Sequence, residues 1–226
     1  ADAIGGAQKD GVRALLLTGA GRGFCSGADL AAGEGKGHPS SNDLLRTIRM
    51  PLGYHAMLLR EFPKPTVAAV NGAAVGAGLG LALASDIRIA AQKGRFSAIF
   101  AKRALSPDYG CTQTLPTIVG MSKALELMYT GDIIDSSEAE RIGMVSRVVP
   151  DDELSEVAME LAQKLASGPS IAHALTKKMV YTAHERTFEE QLWMEGQAST
   201  ASGSSEDRKE GLRAFVERRE PKFQGR

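Results

Sequence analysis

The stretch VNGAAVGAGLGLALASD, residues 70–86, decides how this chain is read. A short aliphatic strand pattern, Thr66 to Val70, runs into a glycine-rich turn, and the turn runs straight into an Ala/Leu helix. Between Gly76 and Gly80 there is little side chain, so backbone N–H groups at a helix start lie open to a ligand. Such a place suits the stabilisation of developing negative charge. A second glycine-rich turn, AGRGFCSGADL at 20–30, also follows a strand pattern, Arg13 to Thr18. Two turns of this kind can supply one N–H each to the same oxygen. Tight strand–helix packing is the competing explanation for the glycines.

Neither turn fits a phosphate cradle. GAGRG at 19–23 fails the GxGxxG spacing, no acidic residue ends a second strand in the right place, and there is no GxxxxGK[ST] run. The four histidines (His38, His55, His173, His184) form no metal-ligand spacing, and Cys25 and Cys111 stand in no CxxC pattern, so no metal site is expected. The cysteine usage fits a reduced, cytoplasmic protein. Lys+Arg and Asp+Glu are equal at 27 each, which argues against nucleic-acid or membrane-surface binding. The longest apolar candidate, 66–84, is broken by glycines and does not read as a membrane span. Ser26 lies in CSGAD rather than in a GxSxG elbow.

Further strands are expected at Ile87–Ala91 and Met144–Val149, with helices between them, which predicts an α/β core. Residues 31–41 (AAGEGKGHPSS) read as a mobile loop. The second half turns helical. Over 151–166, Leu154, Val157, Ala158, Leu161, Ala162 and Leu165 share one face, with Asp151 as cap and Gly168-Pro169 as stop. Asp135 to Glu138 and Thr187 to Glu190 fit capping boxes. After Pro169 the helices carry apolar residues on several sides (Leu175, Met179, Phe188, Leu192, Trp193, Leu212, Phe215). That pattern fits either subunit association or a tail folded on its own domain.

Among acids, Asp108 stands in the turn Ser106-Pro107-Asp108-Tyr109-Gly110 ahead of a helix over Thr112–Val119, an ordinary setting for an aspartate. Asp86 reads as a structural hydrogen-bonding residue and Asp29 as a helix cap.

The runs RALLLTGAGRGFCSGADL, KPTVAAVNGAAVGAGLGLALASDIRIAA, MSKALELMYTGDIIDSSEAERIGMVSRVV and EGLRAFVERREPKF, in that order, resemble the crotonase superfamily of enoyl-CoA hydratases and isomerases. The resemblance implies an α/β fold, a crotonase-like spiral of ββα units. It assigns residues 1–168 to the spiral core and 169–226 to a C-terminal helical region that builds homotrimers or hexamers. It also implies that the family's opening strands, with a basic contact to CoA, belong before Ala1. The ligand implied is an acyl-CoA thioester, a substrate and not a tightly bound cofactor, whose carbonyl oxygen accepts the N–H groups of Ala28 and Ala77. By the same resemblance Asp29, Leu30, Gly76, Gly78 and Pro107 border the substrate, Phe100 and Tyr109 flank the acyl group, and Lys222 and Phe223 reach the nucleotide.

The departures from the family pattern matter most. The two glutamates with which hydratases of the family work on water correspond to Gly80 and Phe100, and neither can move a proton. Asp108 matches the acid of the isomerase branch that includes the phenylacetate-pathway isomerase. The expectation is an enoyl-CoA isomerase with Asp108 as proton shuttle. A chlorobenzoyl-CoA-type dehalogenase or hydrolase, with Asp108 as nucleophile, is the rival. That branch, however, has tryptophan where Phe100 stands and a histidine about half a turn from His55. Hydratase-like activity and a non-catalytic acyl-CoA-binding protein complete the alternatives.

Overall fold

A computed structural model describes residues 2–7, 11–28 and 51–226. In chain order its regular elements are α1 (Asp2–Ala7), β1 (Leu15–Thr18), α2 (Tyr54–Glu61), β2 (Thr66–Val70), β3 (Ala73–Val75) and α3 (Ala77–Ala84). Then come β4 (Ile87–Ala91), β5 (Arg95–Ser97), a 3-10 turn (Ile99–Arg103), α4 (Cys111–Val119), α5 (Met121–Thr130), β6 (Ile134–Asp135), α6 (Ser136–Arg141) and β7 (Arg147–Val149). The remainder is helical: α7 (Leu154–Ala166), α8 (Ser170–Thr182), α9 (Phe188–Gly203) and α10 (Glu206–Glu217), with a short 3-10 turn at Ala183–Glu185. The fold is mixed α/β, as the alternation of patterns implies.

The chain forms two compact units. The first takes in the described residues of Leu16–Arg60 and Val67–Ala158. Two sheets build it, one in the order β1-β2-β4-β7 and one in the order β3-β5-β6. β2, β4 and β7 run parallel, with Val67 opposite Ile87 and Ile89 opposite Arg147. Every residue of β2 is buried, as expected of a parallel strand covered on both faces. β3 is parallel to β5, and β5 antiparallel to β6. The core joins Val70, Leu79, Leu83, Phe96, Leu115 and Leu127. Helix α3, AGLGLALA, is apolar all round and correspondingly buried on nearly every side.

The second unit comprises Asp2–Leu15, Glu61–Thr66 and Met159–Arg226. Arg13 fastens it from within. Its guanidinium donates to Ser170 Oγ (3.1 Å), to the Phe223 carbonyl (3.0 Å) and to the Gly168 carbonyl. Asp207, 3 % exposed, accepts the backbone N–H groups of Gln224 (2.6 Å) and Gly225 (2.9 Å) and so holds the C-terminal segment. Arg219 forks onto both oxygens of Glu210 (2.6 and 3.0 Å), which holds that carboxyl down at about 2.

Several boundaries differ from the sequence reading. β1 starts at Leu15, whose N–H reaches the Pro65 carbonyl (2.9 Å), and not at Arg13. β7 begins at Arg147. Met144 and Val145 instead return their N–H groups to the Ala139 carbonyl and close a turn after α6. Asp151 does not cap α7, which begins three residues later. Its carboxylate accepts the Lys93 N–H (3.0 Å) and pairs with the Lys93 ammonium. Asp135 caps α6 through the Glu138 N–H, but Glu138 turns to Arg141 and Lys123 and leaves the box half-made. Thr187 and Glu190 form the full reciprocal box. The face of α7 that carries Leu154, Ala158 and Ala162 is buried, as its periodicity requires. The loop read at 31–41 lies outside the described residues. Among the described residues no helix is long and apolar enough to cross a membrane, and no cluster of side chains could hold a metal ion.

Candidate active site

The first glycine turn is stitched to β3. Cys25 donates its N–H to the Ala73 carbonyl (2.8 Å), and its own carbonyl accepts the Val75 N–H (3.0 Å), so Cys25 pairs in parallel with Ala74. The contact is backbone on backbone and depends on missing side chains. A Cβ on Gly78 would lie 2.0 Å from the Cys25 carbonyl oxygen, and one on Gly72 would lie 2.2 Å from that of Arg22. Gly78 is therefore a packing glycine; it does not border the cavity described below.

This stitching carries Gly27 and Ala28 to the start of α3. A Cβ on Gly27 would sit 3.6 Å from the Ala77 nitrogen. Ala77 is the first residue of α3, so its N–H has no acceptor within the helix. Among the described residues no backbone carbonyl accepts the N–H of Ala28. Gly76, which caps α3, holds φ 56° and ψ −121°, a conformation essentially closed to residues with a Cβ. The turn thus presents two free amide donors, from residues 28 and 77, on the wall of one cavity of about 130 Å³.

Asp108 lines the same cavity. The segment after the 3-10 turn is bent by three residues in the left-handed region, Ala104 (φ 53°), Tyr109 (φ 50°) and Gly110 (φ 77°). The Asp108 carbonyl accepts the Cys111 N–H (3.0 Å) and starts α4. The carboxylate is left with one oxygen, Oδ1, buried and without a hydrogen-bond partner. Burial pushes the carboxyl above the usual aspartate range, and its own backbone N–H only partly offsets this. Its charge also helps, after burial, to push the Cys111 thiol up to about 12, which makes that cysteine an inert core residue.

Phe100, 5 % exposed, belongs both to the core and to the cavity wall. Tyr109 does not line the cavity. Its Cβ and carbonyl oxygen would stand 2.4 and 2.9 Å from a Cβ on Gly80. The space beside Gly80 that the sequence leaves open to a ligand is thus filled by Tyr109. Pro107 is half-buried in the turn and stays off the wall. Asp29 and Leu30 lie outside the described residues. His55 is exposed and packs edge-on to Tyr54, away from the cavity. In the second unit Lys222 is exposed, its N–H donated to Glu210 (2.9 Å), and Phe223 packs on Gly211 and lines a separate cavity of about 210 Å³. Sequence reasoning passed over Arg103 and Leu105, which also line the first cavity. Their only signal is their closeness to the Ser-Pro-Asp turn.

The sequence matches the model of the Enoyl-CoA hydratase/isomerase family over residues 1–226. The chain belongs to the enoyl-CoA hydratase/isomerase family. It is therefore a member of the crotonase superfamily and an enzyme of acyl-CoA thioesters. Among similar family members, the 1,2-epoxyphenylacetyl-CoA isomerase of Escherichia coli is 38% identical, over 97% of this chain and 84% of its own length. The mitochondrial enoyl-CoA hydratase of Pongo abelii is 36% identical, over 94% of this chain and 71% of its own length. A crystal structure of an enoyl-CoA hydratase from Bacillus anthracis superposes with a TM-score of 0.90 at 36% identity. It covers 100% of this chain and 86% of that one. Family members of both reaction types thus resemble this chain at similar levels of identity.

Proposed function

We propose that this protein is an enoyl-CoA isomerase in which Asp108 carries a proton between two carbons of the acyl chain. The observation that carries the reading is that Asp108, with its Oδ1 buried and unpartnered, lines the same cavity as Ala28 and Ala77, in a site with no side-chain acid at position 80 or 100.

The thioester oxygen accepts the two amides. With a 3-enoyl thioester the Asp108 carboxylate takes a proton from C2. The electrons of that C–H bond form the C1–C2 double bond of a dienolate, whose negative charge collects on the thioester oxygen. Two preorganised amides at a helix start stabilise that charge. The protonated Asp108 then returns the proton to C4, and the double bond comes to rest between C2 and C3. A carboxyl raised by burial suits both steps: it takes the proton from carbon more readily than an exposed aspartate does, and the site favours its protonated form between the two transfers. Hydration would need a second group to position and activate water, and the two positions that would carry it hold Gly80 and Phe100. The name of the 1,2-epoxyphenylacetyl-CoA isomerase, an acyl-CoA isomerase, is consistent with this reading.

We also infer a homotrimer or a dimer of trimers. Phe188 (79 % exposed), Trp193 (69 %) and Phe215 (83 %) leave more aromatic surface open in the second unit than an isolated subunit tolerates comfortably.

The test is incubation with 3-enoyl-CoA and 2-enoyl-CoA in deuterated water. Deuterium at C2 or C4 without net hydration is expected, and Asp108→Asn should abolish it while acyl-CoA binding persists. Undiminished turnover in Asp108→Asn, or hydration as the main reaction, would overturn the reading.

A further inference from the structure

Among the described residues the cavity wall is apolar or backbone except at three side chains: Ser26, Asp108 and Arg103. Arg103 is the cation. It closes the 3-10 turn, and the turn is pinned behind it: the Ala104 N–H reaches the Ala101 carbonyl (3.0 Å), the Leu105 N–H reaches the Phe100 carbonyl (3.1 Å), and Ala104 is left-handed. The backbone of Arg103 is thus fixed. Its neighbour Lys102 is paired with Asp132 at 3.1 Å. Arg103 is exposed, and among the described residues it makes no hydrogen bond or ion pair, with Asp108 or with any other acid.

We propose that Arg103 is a specificity-determining residue that recognises a carboxylate on the acyl group, so that the preferred substrates are acyl-CoA thioesters with an acidic acyl tail. This rests on the acyl-CoA reading above and deepens it. The anion belongs to the acyl group and not to the phosphates of CoA, because Arg103 shares one small cavity with the amides of residues 28 and 77. A thioester held there keeps its phosphates a full pantetheine arm away. Ile99, Phe100 and Leu105 supply apolar surface beside Arg103 along which a carbon chain or ring can lie before its carboxylate meets the guanidinium. A planar guanidinium on a fixed backbone can take a carboxylate through two parallel N–H bonds. An uncharged tail would leave it to water.

The test is calorimetric titration with saturated thioesters in matched pairs, glutaryl-CoA with pentanoyl-CoA and adipyl-CoA with hexanoyl-CoA. Arg103 is exposed, so the wild-type protein should bind the carboxylated member of at least one pair about twofold to fivefold more tightly, the usual worth of a solvated charge pair. Arg103→Met should bring the ratio to about one, and Arg103→Lys should restore part of it, which shows that a loss in Arg103→Met is not a loss of fold. Equal binding of both members of both pairs by the wild type, or a preference that survives Arg103→Met, overturns the proposal. Because the readout is binding, it stands apart from the isomerase reading. An Arg103-dependent preference in a protein that moves no double bond would leave this inference intact and sink that one. Double-bond migration without the preference would do the reverse.

Discussion

Replacing Gly80 by alanine probes how tightly the site is built. The new Cβ would fall 2.4 Å from the Tyr109 Cβ and 2.9 Å from its carbonyl oxygen. Carbon atoms in contact rest about 3.5–4.0 Å apart, so the overlap exceeds about 1 Å. Neither partner atom can swing aside. A Cβ and a carbonyl move only with the backbone, and Tyr109 already occupies the left-handed region at φ 50°. Either α3 or the Asp108–Gly110 turn must shift. Overpacking of this kind costs about 1–3 kcal/mol. For a chain of this length that lowers the melting temperature by about 2–4 °C per kcal/mol, or about 2–12 °C altogether. The activity loss should be larger than the stability loss implies. Asp108 adjoins Tyr109, and a displacement of about 1 Å at a reacting group costs about a hundredfold in rate. Thermal unfolding and steady-state isomerisation are the assays. Gly196→Ala is the control, since a Cβ there meets nothing within 4 Å on an exposed helix position, and it should stabilise α9 by about 0.5–1 kcal/mol. By the same steric argument Gly80→Glu should not create a hydratase. Wild-type melting and wild-type rate in Gly80→Ala would refute the reasoning.

Gly76→Ala forces a residue with a Cβ into φ 56°, ψ −121°. It should cost about 1–3 kcal/mol and, by turning the Ala77 amide, about a hundredfold to a thousandfold in kcat; an unchanged kcat would argue against a role for that amide. Because burial raises the Asp108 carboxyl, the fold favours its neutral form. That contribution is whole below the ordinary value of 3.8 and is lost as pH rises through the raised value, so Asp108→Asn should melt higher than wild type at neutral pH. The same shift should place the acid limb of the kcat/KM profile above 3.8, and a limb at or below it would contradict the assignment. Asp207→Ala frees the N–H groups of Gln224 and Gly225. It should cost about 2–4 kcal/mol and expose the C-terminal segment to limited proteolysis, and wild-type resistance would count against that anchoring.

The parts of this molecule that were legible in the sequence are those governed by local rules. The aliphatic run Thr66–Val70, the glycine turn and the Ala/Leu helix follow from period, turn chemistry and composition alone. The same holds for the amphipathic face of α7 and the Thr187–Glu190 box. β3 and β5 were not legible, because three-residue strands made of small or mixed residues carry no period. Asp151 misled for a different reason. An aspartate before a helical pattern is a good cap candidate, but a tertiary partner, the backbone of Lys93, outbid the helix for it. Asp108 could be named as a turn residue and, through family resemblance, as an acid. Only the folded structure leaves its Oδ1 buried and unpartnered. Gly80 shows the limit most plainly: a glycine looks the same in sequence whether it makes room for a ligand or is crowded by Tyr109, far along the chain. Arg103 was illegible for a similar reason, since it joins the site through the path of a 3-10 turn and not through any motif.

The two amide donors belong to alanines, residues 28 and 77. An alanine scan therefore passes over both in silence, and most side-chain replacements there would leave the N–H in place. A mutational map of this protein would light up at Asp108 and at the glycines whose replacement moves the donors, but not at the donors themselves. Selection acting on side chains can likewise reshape the acyl-facing wall, at positions such as 100, 103 and 105, while the part that holds the thioester oxygen stays written in the main chain. A protein built this way can change its reaction or its substrate without rebuilding the element that all its reactions would share.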